Sequence, residues 1–224
     1  MKVSPWLIAF DVDGTLLKSP SSSWRLIHEI LGTVDKAKQY AQLYEKGKIS
    51  YEEWARLDAS LWKGQDYEAL KHKVLNKVVL REGALELAHA IKKYNMIMVL
   101  VSAGLSIVVD YVSMKLNADY SFSNKLIVKD GKITGDVDVI VDFYGKDKIL
   151  QKIISTLGIP KRKTIAVGDD ENDISMFKFV NYPIAFNPNK ESILRYVDYV
   201  VYSETLFPVK ALIIETIVSR ERLS

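Results

Sequence analysis

The stretch IAFDVDGTLL, residues 8–17, runs four apolar positions (counting Leu7) into two acids one residue apart, Asp11 and Asp13. Side chains two apart on an extended chain share a face. At ~3.3 Å per residue their α-carbons lie about 6–7 Å apart. Two carboxylates so placed in an apolar setting repel each other, and one is driven to take a proton. A bound dication removes most of that cost. Gly14 allows a sharp turn, and Thr15 restores a hydroxyl. The reading that follows is a buried strand whose tip is a chemical site.

Working outward, short β-rich runs recur at 7–10, 97–101, 164–167, 182–186 and 199–202, mostly separated by helical patterns. Such alternation predicts an α/β fold, a Rossmann-like parallel sheet covered on both faces. In such sheets ligands bind beyond the carboxyl ends of the strands. One segment, about 19–80, breaks the alternation with helices alone. Ser50 and Glu53 form a capping box, Asp66 can cap a helix beginning at Tyr67, and Trp24, Trp54 and Trp62 supply a small core of their own. The division expected is a core domain of 1–17 and 81–224, with a helical-bundle cap of 18–80 inserted after the first strand. A helix is expected over 84–93. Within 121–142, Asp130-Gly131 predicts a hairpin, read as a side feature of the core.

Three further element ends could meet the first. In MVLVSAGLS a strand stops at Ser102 and a helix is expected to begin near Gly104. Small residues such as Ala103 and Gly104 let an anion approach backbone amides, as at helix N-termini; Ser102 also suits an ordinary N-cap. In YGKDKILQKIISTLG, Ile149, Leu150, Ile153, Ile154 and Leu157 make one apolar stripe. At about 100° per residue Lys146 falls near its centre and Lys148 on the opposite side. Lys146 then sits at the ligand-binding edge, while Lys148 faces water. In TIAVGDDENDISMF a strand ends at Gly168 and is followed by Asp169, Asp170, Glu171, Asn172 and Asp173. Acids favour a helix N-terminus on dipole grounds, but four in five positions exceed what capping requires. Hard oxygen ligands at a strand end suit Mg²⁺.

Together and in this order, Asp11-x-Asp13-Gly14-Thr15, Ser102, Lys146 and Gly168-Asp169-Asp170-x-Asn172-Asp173 resemble the four motifs of the haloacid dehalogenase superfamily of phosphatases. The helical insertion and SNKLIVKDGKITG resemble its phosphoserine phosphatase-like branch. The resemblance implies a Mg²⁺-dependent phosphomonoester hydrolase acting on a small phosphorylated metabolite. In that scheme Asp11 attacks phosphorus and water hydrolyses the aspartyl-phosphate. Mg²⁺ is held by the Asp11 and Asp169 carboxylates and the Asp13 carbonyl, which leaves the Asp13 side chain to move protons. Ser102, Ala103, Gly104 and Lys146 would hold phosphate oxygens. Asp173 would bind a metal-bound water or orient Lys146, with Asn172 supporting it.

The branch's serine-recognition residues do not carry over. Its cap glutamate falls where this chain reads Lys18-Ser19-Pro20, and its cap arginine falls at Asp58, with Arg56 two residues off. A substrate other than phosphoserine is therefore expected. Phosphoserine phosphatase proper is the alternative, as is a phosphoacceptor signalling module, although such modules are typically about half this length.

The bulk numbers restrict the rest. With 224 residues, 48% hydrophobic, the chain can build one sizeable core plus a small accessory unit. A net charge of +3 with no basic block gives nucleic-acid binding little support. Residues 96–109 are apolar but shorter than the ~20 residues a membrane span needs. The absence of cysteine excludes thiol catalysis and fits a cytoplasmic protein. His28, His72 and His89 fall in helical patterns and are expected in solvated or capping roles.

Overall fold

The computed structural model describes residues 4–221. Its centre is a seven-stranded sheet. In chain order the strands are β1 (Leu7–Phe10), β4 (Ile97–Leu105), β5 (Tyr120–Lys129), β6 (Lys132–Asp138), β7 (Thr164–Gly168), β8 (Tyr182–Phe186) and β9 (Tyr199–Val201), laid side by side as β6-β5-β4-β1-β7-β8-β9. Every neighbouring pair is parallel except β5–β6. β2 (Leu17–Ser19) and β3 (Val79–Leu80) form a separate antiparallel pair.

Why these runs are strands follows from burial on both faces. Ile8, Phe10, Met98, Leu100, Ile165 and Val167 enter one core, and Leu7, Ala9, Val99, Val101 and Ala166 enter the other. Side chains alternate across the sheet, so only continuously apolar segments fit. Helices α5 (Ala84–Lys93), α6 (Ser106–Leu116) and α9 (Phe207–Glu221) cover the first face. Helices α7 (Lys146–Leu157) and α8 (Ile174–Phe179) cover the second. Each fully buried aliphatic side chain contributes about 1.5–3 kcal/mol.

Helices α1 (Ser23–Leu31), α2 (Val34–Glu45), α3 (Tyr51–Ser60) and α4 (Tyr67–Leu75) lie between β2 and β3 in the chain. Ser50 caps α3 in the expected reciprocal box with Glu53, and the Asp66 carboxylate caps α4 by accepting from Ala69 N. The β2–β3 pair brings both ends of this helical segment to neighbouring points. Residues 1–3 and 222–224 of the expected core lie outside the described residues.

Three expectations are corrected. β4 does not stop at Ser102; it continues, buried, to Leu105, and α6 begins only at Ser106. The hairpin turns at Asp130-Gly131 as read, but it is no side feature of the core. Its Gly131 and Ile133 carbonyls accept from Tyr67 N and Gly64 N, and Ile133 N donates to Gln65 O, so it is stitched to the helical segment. His28 is not solvated. It is 3% exposed, because Trp62, in the turn after α3, folds over it with ring centroids 4.7 Å apart.

Candidate active site

β1 lies between β4 and β7, and the chain adds strands first on one side of it and then on the other. This is the switch point where parallel sheets leave a crevice, and the four sequence motifs converge on it. Asp11 directly follows β1, and its N–H donates to Val167 O at 2.9 Å. Gly14 has φ +88°, and a Cβ there would overlap the Asp169 carboxylate. Only glycine lets the loop after Asp11 turn this close to the loop after β7. Thr15 Oγ1 then donates to Asp169 Oδ1 at 2.7 Å and ties the two loops together.

Lys146, the first residue of α7, is fully buried on the same helix face as Leu150 and Ile153, while Lys148 is exposed. Its ammonium reaches Asp11 Oδ1 at 2.5 Å, Asp173 Oδ1 at 2.6 Å and Asn172 Oδ1 at 3.4 Å. Burial alone would lower the lysine's pKa, but the two carboxylates more than reverse that and raise it. Asp11 is raised by burial first, against the pull of Lys146, with Asp173 and Asp169 adding repulsion. Burial and Asp173 push Asp169 up to about 7. Asp173 Oδ2 accepts from Asp169 N at 2.9 Å and from Asp170 N at 3.1 Å, so it fixes the acidic loop.

Carboxylate oxygens of Asp11, Asp169 and Asp173 all lie within 4.8 Å of one another, and all three residues are buried. Lys146 bonds to two of these three carboxylates, and the ligand atoms are all hard oxygens. Burial first, and then this excess of negative charge, holds two of the acids above their ordinary range, and a Mg²⁺ ion would relieve the repulsion.

Asp13 points elsewhere. Its Oδ2 accepts from both Ser23 N and Ser23 Oγ at 2.8 Å, while Oδ1 has no hydrogen-bond partner among the described residues. Burial raises this acid and the Ser23 bonds lower it, with a net rise. A carboxyl group raised in this way is suited to proton transfer.

The second motif is arranged differently from the sequence reading. Gly104 N–H donates to Ser102 Oγ at 2.9 Å, and Leu105 N–H to Ser23 Oγ at 2.9 Å, so no helix N-terminus opens at Gly104. A Cβ at Gly104 would stand 2.7 Å from Asp13 Oδ2, which explains the glycine. Ala103 acts through its carbonyl, which accepts from Trp24 Nε1, Tyr51 Oη and Asn124 Nδ2 at 2.9–3.0 Å.

Four supporting residues escaped the sequence reading. Ser23 holds Asp13, and Asn189 Nδ2 donates to Asp169 Oδ2 at 2.9 Å. Arg81 donates to the Gly14, Thr15 and Leu17 carbonyls and lies over the Phe186 ring, pinning the first loop. Asn124 is buried between the Ala103 carbonyl and residues 140–141. Only Asn124 falls within a quoted motif, SNKLIVKDGKITG; the other contacts leave no pattern along the chain.

Asp11, Asp13, Ser102, Ala103, Gly104, Asp169 and Asn172 line a cavity of about 430 Å³ whose other wall comes from the helical segment, including Trp24, Tyr51 and Trp54. Trp24 and Trp54 therefore face a site and not only a bundle core. Arg56 is not on the lining; it pairs with Glu52 and Asp136. Among the described residues no helix is long and apolar enough to cross a membrane.

Known proteins resemble this chain in sequence and in fold. Residues 8–178 match the model of the haloacid dehalogenase-like hydrolases. The chain is 38% identical to a phosphoserine phosphatase of Methanocaldococcus jannaschii over 80% of its own length and 84% of the relative's. It is 31% identical to a phosphoserine phosphatase of Archaeoglobus fulgidus, over 89% of its length and 57% of that longer protein. A solved structure described as a phospho-aspartyl intermediate analogue of phosphoserine phosphatase superposes with a TM-score of 0.81 at 34% identity, covering 94% of this chain and 100% of that one.

Proposed function

We infer the reaction from one premise: the chain belongs to the haloacid dehalogenase-like hydrolases and is a phosphatase. We propose that it hydrolyses small phosphomonoesters in two steps on Asp11, with residues 18–80 serving as a cap over the 1–17 and 81–224 core. The observation that carries this reading is the pairing of two unlike carboxylates on one cavity. Asp11 is bound to Lys146 through Oδ1, and Asp13 keeps Oδ1 unengaged.

Asp11 attacks phosphorus, and the P–O bond to the leaving alcohol breaks. Asp13 gives its proton to that alkoxide. Asp13, now ionised, takes a proton from the water that cleaves the aspartyl-phosphate, and phosphate leaves. Lys146 orients Asp11 and, with Ser102 and Asn172, offers donors to oxygens on which charge develops. Asp11, Asp169 and the Asp13 carbonyl would hold Mg²⁺, with Asp173 fixing the loop and Lys146. Bound there, the ion supplies positive charge that lets an anionic nucleophile approach an anionic ester.

The names of the relatives favour phosphoserine as a second reading of the substrate. Against it stands Asp58 on the cavity wall, with Arg56 turned away. Phosphate release from a panel of monoesters, O-phosphoserine among them, with and without Mg²⁺ and beside Asp11→Asn, tests the proposal. Mg²⁺-dependent turnover that the variant lacks is expected. Equal rates in the variant would remove Asp11 from its role.

A further inference from the structure

The cavity wall contributed by the helical segment carries a group that the hydrolytic steps do not use. Asp58, on α3, is 4% exposed and lines the cavity. Its Oδ2 lies 3.4 Å from His28 Nε2, long for a hydrogen bond. Its Oδ1 has no hydrogen-bond partner among the described residues.

The histidine's tautomer can be read from its neighbours. Trp62 Nε1, a donor only, meets His28 Nδ1 at 3.3 Å, and Thr33 Oγ1 lies 2.7 Å from the same nitrogen. The Trp62 contact leaves Nδ1 as the acceptor and Nε2 as the nitrogen that faces Asp58. Asp58 thus has this one long contact on Oδ2 and none on Oδ1. A buried carboxylate left this way is costly; burial raises it, and His28 offsets that only in part.

Trp24, Tyr51 and Trp54 line the same cavity. Carboxylate and aromatic faces both attract ammonium groups. The cations on the lining do not balance Asp58. Arg25 and Lys38 have side chains 72% and 71% exposed, and Arg25 is engaged by Glu29. A volume of about 430 Å³ also falls in the range of small-molecule sites.

We propose that Asp58 selects the leaving group, and that the substrate is the phosphate monoester of an amino alcohol whose ammonium meets the Asp58 carboxylate against the aromatic wall. This rests on the hydrolytic reading above and names its substrate class. A free carboxylate on the leaving group would meet Asp58 with like charge, which sets this class apart from phosphoserine.

The test compares ω-aminoalkyl phosphates of two to six carbons with the ω-hydroxyalkyl phosphates of equal length. kcat/KM is measured on the Mg²⁺-loaded protein. At the best length the amine should be favoured on the order of tenfold to a hundredfold, the range of charged hydrogen bonds. In Asp58→Asn that ratio should fall toward one. A wild-type ratio near one, a ratio unchanged in the variant, or O-phosphoserine turned over faster than the two-carbon amine would overturn the proposal. The wild-type comparison decides even if the variant does not fold. Calorimetric binding to Asp11→Asn separates the two readings. Amine-selective binding without turnover in the wild type would strike the hydrolytic reading and keep the role of Asp58. Turnover without selectivity would do the reverse.

Discussion

Replacing Lys146 with methionine keeps most of the side chain's length and removes the ammonium that bonds to two of three clustered, buried acids. Lys146 bonds to Asp11 at 2.5 Å and to Asp173 at 2.6 Å, and all three side chains are at most 5% exposed. Breaking a buried charge network by removing one partner costs about 3–5 kcal/mol. For a chain of this size each kcal/mol moves the melting temperature by about 2–4 °C. Lys146→Met in EDTA at pH 8 should therefore melt about 6–20 °C below the wild type. The deficit should depend on pH. Asp11 and Asp169 already bind protons more tightly folded than unfolded, Asp169 with a pKa of about 7. Loss of the ammonium raises both further. The folded variant then holds protons that the unfolded chain keeps only near pH 4, so its stability falls as pH rises through the folded values. Lys146 itself, with its pKa raised, stays charged throughout. Calorimetric melts should show the deficit shrinking from pH 8 to pH 5. A deficit of equal size at both pH values, or none at pH 8, would refute the claim that Lys146 is the countercharge of this cluster.

Two other substitutions probe the remaining parts. Asp13→Asn should slow alkyl phosphate turnover by about 10²–10⁴-fold, the usual share of general acid–base catalysis. With p-nitrophenyl phosphate, whose leaving group needs little protonation, it should give a stoichiometric burst of nitrophenolate and then stall; stopped-flow absorbance showing neither slowing nor burst would remove Asp13 from proton transfer. Gly14→Ala forces a Cβ into the Asp169 carboxylate at φ +88°. It should weaken Mg²⁺ binding by calorimetry at least tenfold, beyond the roughly 1–2 kcal/mol of backbone strain, whereas unchanged affinity would show that the approach of the two loops is not needed to hold the ion.

What the sequence discloses about this molecule is whatever leaves a local pattern. The strands β1, β4, β7 and β8 are visible because burial on both sides requires unbroken apolar runs. Lys146 is separable from Lys148 because helical phase puts one on the Leu150–Ile153 face and the other in water. The extent of β4 beyond Ser102 is not visible, since Ser-Ala-Gly has the composition of a turn, yet Ala103 and Leu105 are buried. Ser23, Arg81 and Asn189 act across 10, 66 or 67, and 20 residues of chain on Asp13, on Thr15 and Gly14, and on Asp169. Nothing near them in sequence marks that duty. His28 shows the same limit from the other side: its burial is decided by Trp62, 34 residues away.

The Ala103 carbonyl has a consequence for how this protein is dissected. A single main-chain oxygen anchors the indole of α1 and the phenol of α3 to the tip of β4. The helical segment is thus clasped to the sheet by a peptide unit's orientation. A conventional alanine scan passes over it, because the residue is alanine already and the working atom belongs to every amino acid. Only an edit of the backbone, such as replacing the following amide with an ester to weaken that acceptor, would loosen the clasp while leaving every side chain in place.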